Sequence, residues 1–265
     1  MRFSIIFFAI FSLMFSCQKA KESTPAPYLP GDKGSLRFEF DAVVGNKNLQ
    51  LNSSTYSNKL GEDFTVSMFD YYVSNIKLKN EKGEVFVVEQ DSCYFLIKES
   101  DRNSQFFTLS KIPAGDYTEM SFIVGVDSMR NTMDVSKRSG SLDVANGMYW
   151  SWNSGYIFVK FEGTSPKAPA ESNNKFRYHI GGFGGYQTKT INSIREVTIK
   201  LGEKPVPVRK DKTPEVHVMV DMLAFFGNNV SIEQNPDIMF KPFATTIADN
   251  FKNMFSVHHT HSGDE

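Results

Sequence analysis

Cysteine is nearly absent: the 265-residue chain has two, Cys17 and Cys93. Cys17 closes an apolar leader, so the remainder carries one thiol and no intramolecular disulfide. Cys93 sits in Cys-Tyr-Phe-Leu-Ile, whose character is that of a buried strand, and a small core residue is its expected role. An excess of one charge is also missing. The 29 Lys and Arg are matched by 30 Asp and Glu and are dispersed, which leaves no basic face for phosphate and excludes nucleic acid as a partner. No Gly-x-Ser-x-Gly elbow and no His-Glu-x-x-His zinc helix occurs. The glycine run 181–185 lacks the Lys-Ser/Thr ending of a phosphate-cradling loop. No histidine precedes residue 179. These absences weigh against an enzyme and towards a binding protein.

What is present begins with the leader. Arg2 opens it, Ile5 to Phe15 is apolar apart from Ser12, and Ser16 precedes Cys17. A spanning helix needs about 20 apolar residues, and this stretch has the length of an export signal instead. Residues 1–16 are therefore read as a signal peptide. Leu13-Met14-Phe15-Ser16-Cys17 resembles the lipobox of bacterial lipoproteins, in the relaxed form seen in Bacteroidetes. The resemblance implies lipidation of Cys17 and a membrane-anchored protein in the periplasm or at the cell surface. Residues 17–35 are rich in Lys, Ser, Pro and Gly, as expected of a flexible tether. Residues 36–265 are expected to form one domain.

Within that domain the aromatic content stands out: 24 Phe, 10 Tyr and 2 Trp, residues that favour strands and large buried cores. Residues 36–43 alternate apolar and polar with period two. Residues 64–78 read as two strand pieces joined by a bend. Further strands are expected at 84–88, 94–97, 118–126, 148–163, 176–180, 197–201 and 216–223, with turn residues between several of them. Residues 127–147 read as a loop carrying a short helical piece. A helical period appears only at Ile247, Phe251, Met254 and Phe255. The expected fold is all-β, an antiparallel immunoglobulin-like β-sandwich with a short C-terminal helix.

Chemistry concentrates in the five histidines, 179, 217, 258, 259 and 261. Imidazole is the commonest side-chain ligand for copper, zinc and nickel. His259-Thr-His261 puts two imidazoles within reach of one ion on an extended chain, and His258 adds a third. A polar chain end with chance histidines is the competing reading. His179 and His217 fall on expected strands, where a hydrogen-bonded structural role competes with ligation. His217, Met219 and Asp221 share one strand face, and Asp221 is the sequence-level candidate for a base beside His217. Trp150 and Trp152 would also share a face, lining a pocket or packing in a core. The scattered methionines are expected to fill the core.

Met148-Tyr-Trp-Ser-Trp-Asn-Ser-Gly-Tyr-Ile-Phe-Val-Lys-Phe-Glu-Gly163 resembles the MbnP-type family, the methanobactin-associated copper-binding proteins. Tyr71 to Leu78, Pro113 to Tyr117, Tyr178 to Gly181, Val218 to Asp221 and Ile247 to His259 support it in order along the chain. The resemblance implies a periplasmic or surface copper protein without turnover. It further implies a site of histidines and a tryptophan oxidised to kynurenine by a di-haem partner. Carried onto this chain, the candidates are Trp150, Trp152, His179, His217, His259 and His261. Two departures stand out: no imidazole is available before residue 179, and Gly184-Gly185-Tyr186 stands where some relatives have cysteine. The alternative is a metal-free surface module that binds glycan or a partner protein through exposed aromatics.

Overall fold

The computed structural model describes residues 28–152 and 155–263. The signal segment, Cys17 and most of the tether lie outside the described residues. The protein is mostly β, with 47% of the described residues in strands and 17% helical. Its first strand, Lys33–Val44, alternates buried and outward side chains as the sequence pattern requires. Glu215–Asp221 pairs with it on one edge and Phe106–Pro113 on the other. Phe255–His261 pairs with Glu215–Asp221 and extends this first sheet. The second sheet is larger and runs Arg195–Lys200, Gly115–Val124, Asp63–Asn80, Gly155–Thr164, Lys175–Gly181, Asp237–Met239, with shorter strands attached.

The inner faces of the two sheets meet through aromatic rings. Phe40 of the first sheet lies edge-on to Phe122 of the second, with centroids 5.9 Å apart. Phe255 packs against both Phe122 and Tyr71, at 5.1 and 6.1 Å. Phe64, Phe161, Phe176 and Tyr178 form a second ring cluster, which the Met222–Phe226 helix completes with Phe225 and Phe226. Cys93 is fully buried, and burial pushes its thiol pKa up, consistent with an inert core role.

Four features differ from the expectation. The sheets are not purely antiparallel, because Lys33–Val44 runs parallel to Glu215–Asp221, and Lys175–Gly181 parallel to Asp237–Met239. Such pairs join segments far apart in sequence, so local turn signals do not reveal them. Secondly, the expected strand over 216–223 stops at Asp221, whose carboxylate accepts from Leu223 N at 3.0 Å and caps a short helix. The bend inside 64–78, thirdly, is a register shift between Ser74 and Lys77, with Asn75 at φ 53°, inside one long strand. The helical period of 247–255, finally, covers a helix over Phe243–Asn250, a single 3-10 turn, and then the start of a strand at Phe255. Among the described residues no helix is long and apolar enough to cross a membrane.

Gly163 shows how tightly the sheet is built. It lies in Gly155–Thr164, paired on both sides, and a Cβ there would sit 1.9 Å from the Thr65 carbonyl oxygen and 2.7 Å from the Phe176 ring. Gly163→Ala is therefore expected to cost about 3 kcal/mol or more. Gly115→Ala, where the nearest atom is 3.6 Å away, should stay within about 1 kcal/mol. Urea denaturation of the tag-free mature domain separates the two; equal midpoints would show that the strand spacing relaxes freely.

Candidate metal centre

The outward face of the first sheet carries the histidines. Along Glu215–Asp221 the residues Glu215, His217, Met219 and Asp221 point away from the core, while Val216, Val218 and Val220 are buried. Strand register sets Glu39 beside His217 on one side and His259 beside it on the other. Between His217 and Val218 the register then slips, so that Val218 faces Val257 and His258 is an extra residue. This is a β-bulge, a device that re-aims a side chain. Regular strand geometry would send His258 and His259 to opposite faces. With the bulge both reach His217, at ring centroids 5.4 and 4.8 Å.

His217, His258 and His259 each offer a nitrogen, and these atoms lie within 4.8 Å of one another. Among the described residues no other set of three His, Cys, Asp or Glu side chains converges this way. The Nδ1 atoms of His258 and His259 are 2.8 Å apart, and His259 Nε2 is 3.0 Å from His261 Nε2. His217 is the partly buried member; His258 and His259 are open to solvent. A broad groove between Arg195–Lys200 and Phe255–His261 leads to His258 and His259.

Electrostatics favour a neutral, ligand-competent His259. His259 is held below the usual histidine range, first by desolvation and then by His217, His261 and His258 around it, with Glu39 opposing. His217 Nε2 is buried without a hydrogen-bond partner. The Asp41 carboxylate is 3.4 Å from it, a charge contact rather than an aligned bond. With the carboxylate on the Nε2 side, Nδ1 is the nitrogen that would face a cation, and Asp41 would support the ring from behind. Asp41 is not among the candidate residues read from the sequence, and His258 is read there only as a third imidazole of the chain end, without His217 as its neighbour. Asp41 was visible only as an outward position of the first strand, and the bulge that recruits His258 leaves no mark in the sequence.

The remaining candidates stand elsewhere. His179 is on Lys175–Gly181 in the second sheet, with Nε2 2.6 Å from Glu162 Oε1. That hydrogen bond is the main reason the Glu162 carboxyl lies below its ordinary value. Trp150 is buried against Gly181, and its Nε1 has no partner. The strand Tyr149–Trp150 ends before Trp152, which is exposed, so the two rings do not share a strand face. They meet nonetheless, at 5.6 Å, and both pack on Phe240. Asp221 is spent structurally, accepting from Leu223 N and Gly45 N.

Residues 33–240 match the profile of the MbnP family. The chain belongs to the MbnP family. Among solved structures it is similar to MbnP from Methylosinus trichosporium, with 17% identity, a TM-score of 0.54, and coverage of 73% of this chain and 78% of that one. At that identity the likeness is one of fold. No curated protein matches the chain. The family match takes in His179, His217 and both tryptophans but ends before the Phe255–His261 strand. Two of the three clustered histidines in this MbnP-family chain therefore lie beyond the matched segment.

Proposed function

We propose that this MbnP-family chain is an extracytoplasmic lipoprotein, anchored through Cys17, that binds copper for capture, buffering or delivery without turnover. The observation that carries the reading is the set His217, His258 and His259, with His261 adjoining through His259. Three imidazoles with no thiolate suit copper or zinc, and family membership favours copper. The contacting sheets support an immunoglobulin-like sandwich as the frame. Binding without catalysis fits the disposition of nearby carboxylates: Glu39 is held by Arg102, Asp41 faces His217, and Asp221 caps a helix. Each of these three carboxylates already faces a neighbouring group of the chain. Trp150 and Trp152 remain the candidates for oxidation by a di-haem partner, with Trp152 the accessible one.

The reading predicts one copper per chain, and an acylated Cys17 at the N-terminus, in protein purified from its native host. Intact mass and metal analysis report both, together with any mass change on tryptophan. A lipid-free N-terminus would remove the anchor from this account. A tag-free domain that takes up no stoichiometric copper would remove its function.

A further inference from the structure

A second feature of the fold shares no residue with the histidine cluster. A cavity of about 370 Å³ lies between the 131–138 segment and the glycine-rich loop, with Tyr149, Phe183, Tyr186 and Phe240 among its walls. That volume falls in the range of small-molecule sites. Its aromatic rings continue onto the open surface. Tyr186 is 78% exposed, and Trp152, 64% exposed, meets the Phe240 wall edge-on at 6.1 Å. Large rings gain from burial. Two of them left open around one cavity form a platform that another flat apolar face would cover.

The polar groups of the lining narrow the ligand class. Arg138 is its one cation, and its Nε and Nη2 already donate to the carbonyls of Asn131 and Met133, while Nη1 is buried. An anion therefore finds no donor there, and it would meet the exposed Asp134 carboxylate. A cation would meet the Arg138 guanidinium, which lies over the Tyr149 ring at 4.6 Å. A neutral ligand avoids both conflicts. Uncommitted groups remain for it. The Tyr149 and Tyr186 hydroxyls and Thr190 Oγ1 make no hydrogen bond among the described residues. Asp134 Oδ1 accepts from Ser136, and Oδ2 accepts nothing among them. Three hydroxyls, one carboxylate oxygen and a set of open rings match a ring that is apolar on its face and hydroxylated around its rim. A pyranose is such a ring: its axial C–H bonds lie on an aromatic face, and its hydroxyls both donate and accept.

We infer that this cavity is a binding site for a neutral glycan, with a pyranose against Tyr186 and Phe240 and its hydroxyls shared among Asp134, Tyr149 and Thr190. Both tryptophans of the chain pack on Phe240, so their indole N–H resonances report occupancy. The test titrates the metal-free mature chain, residues 17–265, with cellobiose, maltose and N,N′-diacetylchitobiose, and in parallel with benzoate and tetramethylammonium. Saturable shifts of both indole signals are expected with at least one of the three disaccharides, at a Kd of about 0.1–10 mM. Neither ion should match that affinity. Asp134→Asn keeps the shape and the Oδ1 acceptor but removes the charge, and should weaken binding by about five- to tenfold. Tyr186→Ala and Thr190→Phe change exposed positions, so the fold tolerates both. The first removes the platform and should cost about tenfold or more; the second fills the cavity and should abolish the shifts. No saturable response to any of the three disaccharides up to about 50 mM would overturn the inference. So would tighter binding of benzoate or tetramethylammonium, or unchanged sugar affinity in either Tyr186→Ala or Thr190→Phe.

Discussion

Replacing His217, His258 and His259 together by alanine is expected to weaken copper binding by at least about a thousandfold, while His179→Ala leaves it within about twofold. Substitutions behind a metal ligand alone typically cost about 10–100-fold in affinity, so loss of three donors must cost more. Asp41→Asn tests the supporting carboxylate: it keeps the shape, removes the charge 3.4 Å from His217 Nε2, and should cost about 10–100-fold. His261→Ala is expected to fall between the triple variant and His179→Ala, because His261 reaches the cluster only through His259. Competition titration with a chromophoric copper(I) chelator reads all four, and circular dichroism confirms that each variant folds. The Phe255–His261 strand survives these changes, since His258 and His259 are open to solvent. If His179→Ala or Trp150→Phe carries the loss and the triple variant does not, the ion is held on the second sheet and the assignment above is wrong.

That separation of one histidine from the others marks the limit of what the sequence could show. Period-two alternation placed Lys33–Val44 and Glu215–Asp221 correctly enough to turn Asp41 and His217 outward. Alternation does not name a strand's neighbour. The parallel pairing that brings His217 beside Glu39 joins segments that nothing local connects. The Phe255–His261 strand has too few buried apolar residues to read as a strand; it forms because the Glu215–Asp221 edge offers unpaired backbone groups. His258 faces the wrong way in any unbroken strand, and only the register slip corrects it. His179 looked equivalent to His217 because both sit on alternating strands, yet Glu162 on the adjacent strand already satisfies it. Apolar pattern and residue type were legible; pairing, bulge and partner were tertiary.

Glu62→Gln is expected to destabilise the domain by about 3–5 kcal/mol at neutral pH, a fall in Tm on the order of 10 °C. Glu62 is 5% exposed. Its carboxylate accepts from Asn58 Nδ2 at 2.6 Å, Ser231 Oγ at 2.8 Å, Ile232 N at 2.8 Å and Glu233 N at 3.0 Å. Those bonds tie the entry of Asp63–Asn80 to a loop some 170 residues later. An amide in its place can accept on one atom only, and its NH2 would confront donors. Burial alone would raise the carboxyl pKa, but the Glu233 and Ile232 amides with Asn58 and Ser231 outweigh it, and the net shift is downward from 4.5. A depressed folded-state pKa means stability that is present above 4.5 and lost as pH falls through the folded value. Asp70 and Glu99 act with the opposite sign. Burial, ahead of the neighbouring charges, raises them to about 6 and about 7. Each therefore withdraws stability as pH rises from its unfolded value, 3.8 or 4.5, to its folded one. The wild-type domain should accordingly be most stable between about pH 4 and 4.5 and lose stability on both sides. Glu62→Gln should remove much of the acid limb, so that the two proteins draw together as pH falls through the folded value of Glu62. Asp70→Asn should flatten the neutral limb and leave the acid one. Urea midpoints measured between pH 3 and 8 give the comparison; a wild-type and Glu62→Gln difference independent of pH would show that the carboxylate is not the charged acceptor described here.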